Sequence, residues 1–238
     1  MRIEIWSDVV CPWCFIGKRR LEAALADFPH ADEVEVVYRS FELDPSAPLH
    51  GTERTVDALT RKYGPQAPAM MQQVDQIARE EGLAFRQDET VHGSTAAAHR
   101  LLHLALAEGG PAQQRDLKET LLSAYFEQAR NVSDPAELRD VAVGAGLAAD
   151  RVDEVLASEE YADAVAADVA RARAYGATGV PFFVLDSKFG ISGAQPTEVF
   201  AQALQRAWDD ARPTLVDVTG PADGGEVCGP DGCEVPQR

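Results

Sequence analysis

Residues 2–21 read RIEIWSDVVCPWCFIGKRRL. Arg2, Ile3, Glu4, Ile5, Trp6 and Ser7 alternate in character with a period of two, which is a short strand. Cys11-Pro12-Trp13-Cys14 follows at once. Beyond it Phe15, Ile16, Leu21, Ala24, Leu25 and Phe28 recur at helical spacing, with Lys18, Arg19, Arg20 and Glu22 between them. Pro29 stops that helix. A pair of cysteines two residues apart therefore stands where a strand gives way to a helix.

Working outward, residues 33–43 (EVEVVYRSFEL) are rich in Val, Tyr and Phe and read as a second strand, stopped by Pro45 and Pro48. From Thr52 to Tyr175 the pattern turns helical and rich in Ala and Leu, with helices expected over 54–63, 66–81, 94–108, 111–129, 134–145, 150–157 and 159–175. Gly64-Pro65, Gly82, Gly109-Gly110-Pro111 and Gly144/Gly146 separate them. Ser133 or Asp134 caps the helix that Pro135 opens. Strand signals return at 182–186 and 189–193. A last helix runs from Pro196 to Arg212, with Val199, Phe200, Ala203, Leu204 and Trp208 on one face. The order is a βαβ half, a long helical run and a ββα half. With C-x-x-C after the first strand, that is a thioredoxin arrangement. The expected fold is α/β, a thioredoxin fold with a large inserted all-α helical domain. Its parts are 1–51 and 176–212 for the thioredoxin-like halves, 52–175 for the insert and 213–238 for a tail without periodicity that carries Cys228 and Cys233.

Chemistry follows from placement. A helix start offers unpaired N–H groups and the positive end of the helix dipole, so a Cys11 thiolate is favoured and its pKa is expected below the free value of about 8.5. Pro12 suits the first turn because its missing N–H has no partner there anyway. Trp13 supplies no formal charge, so the expected depression is mild. Cys14 lies one turn further in and is expected to be more buried and less reactive. Cys11 then exchanges with a substrate disulfide and Cys14 resolves the mixed disulfide. Val180-Pro181 opens a strand. Paired with the C-x-x-C, a cis bond is expected there, presenting the Val180 backbone to an extended substrate.

The net charge is −17, from 22 Lys plus Arg against 39 Asp plus Glu. That balance argues against nucleic acid or an anionic membrane surface as partner. No apolar run reaches the roughly 20 residues of a span, and no signal-peptide h-region is visible, so a cytoplasmic location is expected. In that compartment close cysteine pairs point to redox or metal chemistry rather than structural bridges. Cys11/Cys14 and Cys228/Cys233 together have the thiols for a zinc site, but one pair opens a helix and the other lies in the tail, so no metal is expected. The turn Gly229-Pro230-Asp231-Gly232 lets Cys228 and Cys233 meet as a second redox pair. His99 and His103 share a helical face without the Glu of a His-Glu-x-x-His motif. His99 is a minor candidate for the groove facing Cys11.

Four blocks, WSDVVCPWCFIGKRRLE (6–22), YRSFELDP (38–45), STAAAHRLLHLA (94–105) and TGVPFFVLDSKFGISGAQP (178–196), together resemble the DsbA-like thioredoxin superfamily, in particular its FrnE-type branch. The resemblance implies dithiol–disulfide oxidoreductase or isomerase activity, with Cys11 as nucleophile, Cys14 as resolving thiol and Pro181 as the cis-proline after Val180. It implies protein or small-molecule disulfides and dithiols as substrates and no cofactor beyond the cysteines, with glutathione as an optional thiol cosubstrate. The same superfamily holds kappa-class glutathione transferases and 2-hydroxychromene-2-carboxylate isomerases, which usually carry Ser at the Cys11 position. Both thiols here favour redox chemistry over that alternative. A thiol-dependent chaperone or zinc-binding protein, and an auxiliary role in polyketide synthesis, are the remaining alternatives. The oligomeric state is not legible.

Overall fold

The computed structural model describes residues 1–212. The Cys228/Cys233 pair and the rest of the tail lie outside the described residues. Strand β1 (Arg2–Ser7) is central in a four-stranded sheet ordered β2-β1-β5-β6, with β2 at Glu35–Ser40, β5 at Phe182–Leu185 and β6 at Phe189–Ser192. β1 pairs parallel with β2, Ile5 opposite Tyr38, and antiparallel with β5, Ile5 opposite Phe183. Both faces of β1 are covered, so its alternation does not mark a wet face. Glu4 is buried and accepts hydrogen bonds from Arg39 Nε at 2.8 Å and Arg171 Nη1 at 3.0 Å. That satisfies a carboxylate which burial alone would penalise heavily.

The second strand is shorter than the run 33–43 suggests. Ala31–Glu33 forms a 3-10 turn, and after Ser40 the chain leaves the sheet. There the Leu43 N–H donates to Asp8 Oδ2 at 2.8 Å. Seven helices separate or flank the strands as expected from periodicity: α1 (Pro12–Ala26), α2 (Thr55–Tyr63), α3 (Ala67–Glu80), α4 (Ala96–Phe126), α5 (Pro135–Gly144), α6 (Ala149–Leu156) and α7 (Ala162–Ala174). An eighth, α8 (Thr197–Ala211), closes the described chain. The helices expected at 94–108 and 111–129 are the two arms of α4. Gly110, at φ 71° and ψ −169°, breaks the path before Pro111. Of the two candidate caps, Asp134 serves, accepting from the N–H groups of Ala136 at 2.9 Å and Glu137 at 3.0 Å. A two-residue ladder, β3 (Glu53–Arg54) with β4 (Val91–His92), was not expected, because two residues carry no periodicity.

Helix α1 buries two faces. Leu21 and Ala24, with Phe28 just beyond its end, pack with Ile3, Ile5, Phe200 and Trp208 across the sheet and α8. Phe15 and Ile16 enter a second core with Leu101, Leu104, Leu117, Leu121 and Phe126 of α4. The N-terminal end of α1 is therefore wedged between sheet and helical segment. No described helix is long and apolar enough to cross a membrane.

Candidate active site

The strand-to-helix step puts Cys11 at the N-cap of α1, extended at φ −94° and ψ 112°, with Pro12 at the first helical position. The Cys14 N–H donates to Cys11 O at 3.0 Å, closing the first turn and bringing both side chains to one end of the helix. The Cys11 thiol donates to Val180 O at 3.6 Å. The Val180-Pro181 bond is cis, as expected. Pro181 is buried, while Pro12, Trp13 and Val180 are half-buried around the Cys11 sulfur. Gly17 permits this closeness: a Cβ there would lie 3.1 Å from Pro181 Cγ and 3.3 Å from Phe183 Cζ.

Two expectations are corrected. Cys14 is not the more buried thiol; both cysteines are 3% exposed. Nor does Cys11 titrate alone: the two buried thiols titrate as a pair. The neighbouring Cys14 thiol, then burial and the Cys14 charge, push the Cys11 thiol well above the ordinary range. Burial opposes ionisation of Cys14 too. The Cys11 thiol, the Lys118 ammonium and the Asp8 backbone N–H outweigh it and hold Cys14 below its ordinary value. The helix start favours an anion, and donors from outside α1 add to that at Cys14.

Beneath the pair lies a buried polar cluster. Lys118, on the second arm of α4, is fully buried; its Nζ donates to Ser7 O at 3.4 Å and sits 5.6 Å from the Tyr38 ring centre. Burial lowers its pKa from 10.5 to about 8, against the pull of Cys14, Asp8 and Cys11. Asp8 is buried and accepts from Val9 N at 2.7 Å, Leu43 N at 2.8 Å and His99 Nε2 at 3.2 Å. Burial would raise its pKa, but the His99 hydrogen bond and charge, the Leu43 N–H and Lys118 bring it below the usual carboxylate value. His99 is thus corrected from a groove residue to a fully buried partner of Asp8. His103 lies elsewhere, with its Nε2 3.1 Å from Asp168 Oδ2 and 3.2 Å from Ser40 Oγ. Asp8, Ser7 and Lys118 were missed by sequence reasoning. The available signal was Lys118 itself, a cation on the apolar face that carries Gln114, Leu117, Leu121 and Leu122.

The DSBA-like thioredoxin domain family matches over residues 2–205. The chain belongs to that family. A probable DsbA oxidoreductase from Streptomyces coelicolor is 49% identical, with 100% of both chains covered and a TM-score of 0.83. An uncharacterised protein of Bacillus subtilis, YwbO, is 26% identical over 86% of this chain and 96% of its own. The cytosolic disulfide reductase DsbM of Pseudomonas aeruginosa, in a structure with GSH, is 18% identical over 87% of this chain and 99% of its own, with a TM-score of 0.61; at that identity it shows the fold alone. The fold of this family member is that of the DsbA-like thiol oxidoreductases, with its helical segment inserted between β2 and β5.

Proposed function

We propose that this family member is a cytoplasmic thiol–disulfide oxidoreductase, with isomerase capacity, that works by mixed-disulfide exchange at Cys11 and Cys14. The observation that carries the reading is the Cys11 sulfur, 3.6 Å from Val180 O, with Cys14 one turn behind it on α1. Proton transfer from Cys11 to the Cys14 thiolate frees Cys11 as nucleophile. Cys11 attacks a substrate disulfide: its S–S bond breaks, a Cys11–substrate bond forms and one substrate thiolate departs. Cys14 gives that proton to the departing substrate thiolate and, as the thiolate that Lys118 and the Asp8 backbone N–H favour, attacks the Cys11 sulfur. The Cys11–Cys14 bond forms, the second substrate thiolate leaves, and two electrons have passed from protein to substrate. The reverse sequence oxidises a dithiol. Substrates are proteins or small molecules carrying disulfides or dithiols. Glutathione is the proposed small thiol that restores the dithiol by the same exchange; no metal takes part.

Cys11→Ser is expected to abolish insulin reduction; full turnover in that variant would overturn the proposal. Cys228 and Cys233 are proposed as a second pair exchanging electrons with Cys11/Cys14. Replacing both by Ser should slow reduction of the Cys11–Cys14 bond by an external thiol, and an unchanged rate would remove the relay.

A further inference from the structure

We infer that Arg20 is a positioning residue: it clamps the Gly193–Ala194 turn behind Pro181, and thereby sets how an extended disulfide peptide docks beside Val180. This rests on the oxidoreductase reading above and adds a residue that touches neither sulfur.

Arg20 lies two turns along α1 from Cys11, with its side chain only 17% exposed. Its guanidinium spans two segments far apart in sequence. Nη1 donates to Ala194 O at 2.7 Å, and Nε donates to Glu81 Oε1 at 2.6 Å. Ala194 belongs to the turn after β6, where Gly193 adopts φ 78° and its N–H donates to Pro181 O at 2.8 Å. An L side chain at Gly193 would be strained, so the turn has one ready conformation. The same turn packs on α1 at Gly17, where a Cβ would meet Ala194 Cβ at 3.4 Å and Pro181 Cγ at 3.1 Å. A chain of direct contacts therefore runs from Glu81 through Arg20, Ala194 and Gly193 to Pro181, and so to the Val180 carbonyl that faces Cys11.

Glu81 supplies an independent observation. It is the C-cap of α3, where the negative end of the helix dipole disfavours a carboxylate. It is nevertheless largely buried there, 22% exposed, against the Arg20 guanidinium. Helix stability does not account for an acid at that position; anchoring Arg20 does. An Arg rather than a Lys suits the task, since a planar fork can hold a carboxylate and a carbonyl at fixed angles at once.

The test compares two mixed disulfides that share the 2-nitro-5-thiobenzoate leaving group. One carries a decapeptide on its other sulfur, the other only N-acetylcysteine. In Arg20→Gln the KM for the decapeptide should rise about fivefold, since only part of the worth of the lost charged hydrogen bond reaches the docking site, with kcat unchanged. The rate for N-acetylcysteine should stay within about twofold, as should the pH profile of thiolate absorbance. Glu81→Gln, at a more exposed site, should move the decapeptide KM the same way by less, and serves if Arg20→Gln folds poorly. A lower Tm with both KM values unchanged would reduce Arg20 to a structural tie and overturn the inference. Equal slowing of both probes would also overturn it, by placing the effect on the dithiol. Failure of the wild-type chain to turn over either probe would instead strike the oxidoreductase reading on which it rests.

Discussion

Lys118 concentrates the chemistry of this site in one side chain. Among the described residues no carboxylate comes within ion-pair distance of it, yet Cys14, Cys11 and Asp8 all pull its proton on. Desolvation works the other way and wins, leaving a pKa of about 8. An unfolded lysine sits near 10.5. Between about pH 8 and 10.5 the unfolded chain thus holds a proton that the folded chain does not, so this group makes folding stability rise with pH across that window. Below pH 8 the buried ammonium carries its full cost. Lys118→Met fills similar volume without that cost, so its Tm at pH 7 is expected to equal or exceed wild type. Its thiolate should suffer instead. Without the cation, the first ionisation of the dithiol should move up by about one pH unit, ~1.4 kcal/mol. Thiolate absorbance at 240 nm across a pH titration measures the shift; an unmoved titration would show that Lys118 does not govern Cys14.

At the scale of elements, α1 is the part on which everything else is placed. Its first turn carries both sulfurs, Gly17 lets it touch Pro181, and Arg20 reaches the turn behind. Gly17→Ala tests that closeness. Helix propensity alone would stabilise the variant by about 1 kcal/mol. The new Cβ would, however, press on the Pro181 ring and the buried Phe183 ring, neither of which yields freely. Overpacking of about 1–3 kcal/mol should win, giving a lower urea midpoint and slower turnover. Most of these elements were legible in the sequence because their signals are local. The strand period, the Cys11-Pro12 helix start, the Gly110-Pro111 break and the Val180-Pro181 step each lie within a few residues. The polar cluster was not legible. Lys118 meets Ser7 across 111 positions and His99 meets Asp8 across 91, and pattern reading has no reach at such separations. For the same reason the influence of α4 on the dithiol was not foreseen. The helix dipole is a property of α1 alone, whereas the donors that favour Cys14 come partly from α4.

Across the whole molecule, the helices between β2 and β5 do more than cover the sheet. They share a core with α1 through Phe15 and Ile16, deliver Lys118 and His99 beneath the cysteines, and anchor Arg20 through Glu81. The 49% identical Streptomyces coelicolor structure matches this chain over its whole length, so the fold is not peculiar to one chain. The charge of −17 then bears on encounter rather than on exchange, since Cys11 and Cys14 are buried. What the account stands on is Cys11 as the sulfur that meets substrate, with Cys14 behind it. The most direct measurement is to mix reduced Cys14→Ser protein with a disulfide peptide and map the adduct by mass spectrometry. The account predicts a stable mixed disulfide at Cys11 in nearly every molecule. An adduct at another cysteine, or none at Cys11 under conditions where the wild-type chain reduces the peptide, would contradict it.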